Sequence, residues 1–389
     1  MLITIDGSQP PAKTDLDIQS AINTITKSGG FGAVMLLPGV YTISNPINVT
    51  ADAVSLIGFG SPTRLQMVNA IADLFVVSGQ VFHLERCEIQ TSVTKTAGSI
   101  INATGSQGVV KDVRLVGNFF DGFTFGTSTA GLWRFENVLV PGGVTWNQLY
   151  FLRAEPNTTV GSLHIDKLIV SNQVQWKSAM FVLDSGVDTV AVENSELGGI
   201  GTIIHCQNTL HSQAPRWIRF SNCFVEAGIN DGTGIRLDSV RDFRYSGYIA
   251  SCATGVVVGR EQIIGPPRTG PSEVDLSHIE FVNIGQSAIK LVSGCSGVTI
   301  SHNAFEDTCN AANNTYDTIS VAAGVKYFCI LANDFRSALL NPPKLPRYCI
   351  HIDDGGSDHY KVALNNFANF VAGDIYNGGT GSSQIMLGN

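Results

Sequence analysis

The chain has 389 residues, of which only 14% are charged, against about 25% in ordinary globular proteins. Lys plus Arg number 24 and Asp plus Glu 32, a net charge of −8 without long runs of either sign, which excludes a duplex-DNA binder. With 44% apolar residues and 41 glycines the chain is buried and turn-rich, so a disordered chain, a helical bundle and a coiled coil are excluded as well.

Residues 1–7 carry no basic segment running into an apolar one, and no later stretch offers about 18 apolar residues in a row. A chain made in a cytoplasm and without membrane insertion is expected. One helix is predicted over 17–27, where Ile18, Ala21, Ile22 and Ile25 fall on one face behind Asp15 or Asp17 as N-cap and ahead of Gly29 and Gly30. Everything after it reads as strands: 33–37 running into Pro38 and Gly39, then 40–44, 47–49 and 54–58, and so on to the C-terminus. The eight cysteines show no CxxC pair and no histidine at metal-ligand spacing. They read as buried free thiols, and no metal or other cofactor is expected.

The second half repeats. Alternating strands end in Asn303 and Phe305, in Asn333 and Phe335, and in Asn365 and Phe367; upstream the same frame gives Asn222 and Phe224, Gly247 and Ile249, Ile279 and Phe281. The first members are separated by 25, 32, 24, 30 and 32 residues, a constant rung with loops of varying length at one corner. A second strand recurs at 181–184, 235–238, 256–259, 289–292, 319–322 and 350–353. Its alternation turns Ile235 and Leu237 inward, and Arg236, Val257, Lys290, Ser320 and His351 outward. In a coil of parallel strands like residues stack on like, so the asparagines can hydrogen-bond along their own column and the phenylalanines can pile up.

The opening pattern of Asp17, Ile18 and Ile22, the glycines 29 and 30, the stretch 34–39, Tyr41 and Pro46, together with the glycine-rich close at 377–389, resembles the pectate-lyase-like right-handed parallel β-helix superfamily. Within it the chain is most similar to bacteriophage tailspikes and capsule depolymerases. The resemblance implies an all-β fold, a right-handed parallel β-helix (solenoid) with an N-terminal capping helix. Residues 1–53 would be the capping segment and 54–389 the coil, about 13 rungs at roughly 26 residues each. It also implies a parallel homotrimer, for which the outward apolar Val257, Val292 and Ala322 offer a subunit face. The implied location is a phage virion, with other virion proteins as partners and synthesis in the host cytoplasm; secretion is the alternative.

Strand spacing of about 4.8 Å makes the coil a ruler for carboxylate pairs, since retaining glycosidases need about 5–5.5 Å and inverting ones about 6.5–9.5 Å. The outward column closing the second strand reads Asp184, Gln207, Asp238, Gly259, Val292, Ala322, Asp353. Asp184 and Asp238 would stand two rungs apart, and Glu226 and Asp231 share the rung of Asp238. These four are the candidate acids and bases; the other reading is solvated turn acids. Arg216, Arg219, Arg236, Arg241, Arg244, Arg260 and Arg268 crowd the same stretch, with Arg219, Arg244 and Asp275 in one outward column. They form either a track for an acidic polysaccharide or pairs across a subunit contact with Asp238, Asp242 and Asp275. Arg219, Arg236, Arg244 and His205 are the polar binding candidates, and Trp176, between Gln175 and Lys177, is the candidate stacking ring. Trp133 and the neighbouring phenylalanines are expected in the core.

Of the residue set of a polygalacturonase only the pair Asp353 and Asp354 is present, and the Arg-x-Pro-x-x-Arg of calcium-dependent pectate lyases is missing. Pectate itself is therefore not the expected substrate. The expected function is that of a trimeric tailspike that binds and depolymerises a bacterial surface polysaccharide, by hydrolysis or elimination. The alternatives are a non-enzymatic virion spike or capsid decoration, and a β-helix lyase or fructan-transferase-like enzyme outside any phage.

Overall fold

Thr14, rather than Asp15 or Asp17, caps the helix. Its side chain accepts from Leu16 N–H while the Asp17 carboxylate reaches back to Thr14 N–H at 2.9 Å, a reciprocal capping box that starts the helix at Asp15. Asp15 is instead buried, accepting from Ser44 N–H (3.0 Å) and the Asn45 amide (3.1 Å). The helix Asp15–Lys27 buries Ile18, Ala21, Ile22 and Ile25, as its periodicity predicts.

A computed structural model describes residues 1–9, 13–104, 107–126, 130–146, 150–154, 160–209, 213–260, 270–336, 344–368, 370–380 and 384–387. Arg268 lies outside them. The chain forms two compact units, Met1–Leu197 and Gly198–Asn389, and strands in both are paired parallel and in register.

In the first unit parallel pairing begins at the second residue: Leu2–Ile5 pairs with Phe31–Leu36, and that strand with Ala53–Met67. Side chains of one register stack through the interior, as in the buried column Val34, Leu56, Leu84, Val110, Phe135, Ile165 and Val192. Each is apolar because it meets its counterparts one strand above and below. Trp133 is fully buried, as expected, among Phe125 and Phe135.

In the second unit a single left-handed residue makes the bend between two strands of a coil: Asn222, His278, His302, Ala332 and Leu364 all have φ between 49° and 60°. Such a conformation costs a non-glycine residue about 1–3 kcal/mol. The residue that follows turns inward, and here the asparagine ladder forms. Asn303 Oδ1 accepts from Ile279 N–H (2.8 Å), Asn333 Oδ1 from Asn303 N–H (3.0 Å) and Asn365 Oδ1 from Asn333 N–H (3.0 Å). Beside it Phe281, Phe305, Phe335 and Phe367 stack at centroid separations of 5.0, 4.8 and 5.1 Å.

The expected upstream frame is displaced by one residue. Cys223, not Asn222, registers with Gly247, and Val225, not Phe224, with Ile249. Asn222 occupies the left-handed bend and faces solvent, a conformation asparagine adopts readily. Phe224 consequently points outward and stacks on Tyr248 at 5.0 Å. A slip of one residue in a strand exchanges its two faces.

Candidate functional site

The strands Ile200–Cys206 and Arg216–Leu237 pair with His205 opposite Arg236, and the next two residues continue the register to bring Asp238 beside both. Asp238 Oδ2 lies 3.0 Å from His205 Nε2, and Arg236 Nε donates to Asp238 Oδ1 at 2.9 Å. The aspartate side chain is 12% exposed, the histidine 19% and the arginine 43%. Burial pushes the Asp238 carboxyl up, but the hydrogen bond and charge of His205 and the charge and hydrogen bond of Arg236 outweigh it and hold the group below the usual carboxylate range. Asp238 is therefore an anion at neutral pH. With its proton on Nε2, facing Asp238, neutral His205 presents a lone pair at Nδ1, which has no hydrogen-bond partner among the described residues. The terminal nitrogens of Arg236 likewise have none there.

The other candidate acids stand apart from this group. Glu226 lies in the register column of Ala250, Val282 and Glu306, on the strand that precedes the bend leading to Asp238. That face is acidic: burial raises the Tyr248 phenol, and Glu280, Glu306 and Glu226 raise it further. Arg336 ties it together through Asp334 (3.1 Å), Glu280 (3.3 Å) and Glu306 (3.7 Å). Asp231 is exposed on an excursion between Gly228 and Thr233, where the ladder to the next strand breaks register.

Two expectations are corrected in the first unit. Asp184 is 3% exposed and accepts from Ser185 N–H (2.6 Å) and Ser185 Oγ–H (3.0 Å), so it lies under the surface, engaged by the next residue. Trp176 is 5% exposed, because Gln175–Leu183 carries it inward while Gln175 before it stays exposed. A ring covered in this way cannot stack on an incoming sugar. Val257, in the second unit, is only 8% exposed and so provides little of an apolar subunit face.

The arginine column forms as expected: Arg219 registers with Arg244, and Arg244 with Asp275. Arg244 Nε donates to Asp242 at 3.1 Å, whereas Arg219 has no ion-pair partner among the described residues. Arg216 registers with Arg241 and lies over the Trp217 ring, 4.5 Å from its centre. Trp217 sits at a left-handed bend (φ 54°) and is 46% exposed, making it the presented indole that Trp176 is not. Its place at the bend, not its sequence neighbours, decides this. Next to Arg216 and Arg241 opens a depression of about 380 Å³. Asp317, Arg347, Tyr348 and Tyr376 gather around His351, and of these five only the outward position of His351 is visible in the repeat.

No family model matches the chain, and no curated protein is detectably similar to it in sequence. Solved structures are similar in fold. The A-module of the mannuronan C-5 epimerase AlgE6 of Azotobacter vinelandii aligns over 96% of this chain and 94% of its own, at 14% identity and a TM-score of 0.55. The surface adhesin PfbA of Streptococcus pneumoniae aligns over 97% and 92%, at 12% identity and 0.51. Tailspike protein 3 of bacteriophage CBA120 aligns over 94% of this chain and 59% of its own, at 12% identity and 0.49. The fold is the right-handed parallel β-helix that the resemblance implies. Identities this low speak for the fold alone, and fold leaves chemistry to the site.

Proposed function

We propose that the protein binds an acidic bacterial surface polysaccharide and depolymerises it by β-elimination, with His205 as base. The observation that carries this reading is the pair of contacts of Asp238, to His205 Nε2 and Arg236 Nε. A fixed anion on one ring nitrogen directs the lone pair of the other outward and stabilises the imidazolium that forms. The open face of the Arg236 guanidinium suits a uronate carboxylate. His205 Nδ1 takes the proton from the carbon next to that carboxylate. The electrons of the broken C–H bond form a C=C bond as the neighbouring carbon releases the glycosidic oxygen, which takes up a proton and becomes a new chain end. Arg219, Arg244 and the Trp217 ring would carry the flanking acidic units. AlgE6, whose name makes it a mannuronan epimerase, is an example of this fold working on a polyuronate.

The tailspike-like part of the proposal, a parallel homotrimer carried on a virion with other virion proteins, draws support from the resemblance and from the exposed apolar neighbours Leu139 and Ile169. A monomeric mass in light scattering at micromolar concentration would remove it.

The test incubates the protein with capsular and lipopolysaccharide preparations while following unsaturated-uronide absorbance and new reducing ends. A signal in both, reduced by about 10²–10⁴-fold in His205→Ala, supports the assignment. Reducing ends without the unsaturated product, or activity untouched in His205→Ala, overturns it. The second reading, a non-enzymatic spike, is favoured by the engagement of Asp238 with Arg236, a contact that also serves plain structure. Silence across the whole panel from folded protein selects it.

A further inference from the structure

The outward column of His205 and Arg236 continues through Val257, Lys290, Ser320 and His351 to Tyr376. His351 stands five strand steps from His205, a separation of about 24 Å. Around it lies a second constellation of different character. Asp317, 4% exposed, holds Arg347 through both oxygens: Nε to Oδ1 at 3.0 Å and Nη2 to Oδ2 at 2.6 Å. It also accepts from Tyr348 N–H at 3.2 Å, and its Oδ2 lies 2.9 Å from His351 Nδ1. Arg347 Nη2 stands 3.0 Å from the same Nδ1, which therefore faces both the guanidinium and the carboxylate. His351 Nε2 has no partner among the described residues.

Three rings meet at this place. Tyr348 lies nearly parallel to His351 at 5.5 Å, and Tyr376 approaches His351 at 4.8 Å and Tyr348 at 5.5 Å. Gly373 is what lets the Tyr348 ring lie across the last coil: a Cβ there would come within 3.3 Å of it. The Tyr376 hydroxyl donates to both oxygens of the exposed Asp354, at 3.0 and 3.1 Å. All three rings are partly accessible. Electrostatically the cluster is the opposite of the arginine column. The charge of Arg347 is matched by Asp317, and Asp353 and Asp354 are left over, so a carboxylated or sulfated sugar is repelled. An uncharged sugar ring has an aromatic platform, two carboxylates to accept its hydroxyl protons and Nε2 as a further hydrogen-bonding group.

We propose that Tyr348, His351 and Tyr376, with Asp353 and Asp354, form a second carbohydrate site that takes an uncharged pyranose unit. The inference rests on the reading that this protein binds polysaccharide, and adds that its glycan has neutral as well as acidic units.

One array of neutral and of uronate-containing bacterial oligosaccharides tests it, probed with wild type, Tyr376→Ala, Tyr376→Phe and His205→Ala. The expected result is a neutral glycan bound about tenfold more weakly by Tyr376→Ala, with little change in Tyr376→Phe and His205→Ala and with uronate binding intact in Tyr376→Ala. Tyr376→Phe keeps the ring, so it separates loss of the platform from loss of the fold. If uronate glycans bind and no neutral glycan does, or if Tyr376→Ala leaves neutral binding unchanged, this site is wrong and the proposed function stands. If nothing on the array binds, both are wrong. Long-range ¹H–¹⁵N spectra supply an independent readout: the His351 Nε2 resonance should move on adding the neutral glycan. An unmoved Nε2 overturns the assignment.

Discussion

Asn365 Oδ1 accepts two hydrogen bonds from Asn333, one from its main-chain N–H and one from its side-chain amide, each 3.0 Å long. Asn333 repeats the pattern toward Asn303, and the same Nδ2 also donates to the Ile300 carbonyl at 3.1 Å. Each asparagine thus satisfies the polar groups of a bend that no regular ladder reaches.

Asn333→Ala leaves the buried main-chain N–H of Asn303 without an acceptor, takes one of the two acceptors from its amide, which keeps the Leu276 carbonyl, and leaves the Ile300 carbonyl without this donor. A buried unsatisfied group costs about 1–3 kcal/mol, so a loss of several kcal/mol is expected. Urea titration of wild type and variant checks this, and a change below about 0.5 kcal/mol would mean that water replaces the ladder without cost.

The Asp238 carboxyl is lower in the folded chain than in the unfolded one, where it lies near 3.9. Its contribution to stability is therefore complete above that value and is lost as the pH falls through the lower folded value. Asp238→Asn should cost roughly 1.5–3 kcal/mol at pH 7 and progressively less below pH about 4. Denaturation curves of both proteins across that range decide it; a difference independent of pH contradicts the ion-pair account.

The two tryptophans should respond oppositely. Trp176→Ala empties a buried site and should cost about 3–5 kcal/mol. Trp217→Ala, at the exposed bend, should change stability by no more than about 0.5 kcal/mol while weakening acidic-glycan binding. Thermal melts and a binding titration of each variant test the contrast.

Seven of the eight cysteines are buried and none is disulfide-bonded. Burial pushes the thiols of Cys87, Cys252, Cys295 and Cys349 up to about 12, and those of Cys206 and Cys309 higher still. The thiolate is the reactive form. Iodoacetamide at pH 8 should label the half-exposed Cys329 first and the others only on unfolding, as read by mass spectrometry.

The sequence by itself determined the coil. Asn303, Asn333 and Asn365, each two residues before a phenylalanine, announce stacked rungs because a parallel strand repeats its neighbour's environment and so its residue type. The outward column from Arg236 to His351 was legible for the same reason: alternation decides facing as soon as the strand is known. Where one residue of a bend goes left-handed, alternation is interrupted, and that is why the frame slipped at Asn222 and Phe224.

Only the tertiary structure decided what an outward or turn residue meets. Asp238 and His205 are 33 residues apart, and their contact exists because their two strands pair in a register that sets His205 opposite Arg236. Asp184 and Trp176 look solvent-facing in the chain, yet one lies under the surface, engaged by the next residue, and the other is covered. Local sequence encodes the period of a solenoid, whereas loop lengths between rungs fix which side chains lie over one another, and only those pairings bring a base to its carboxylate.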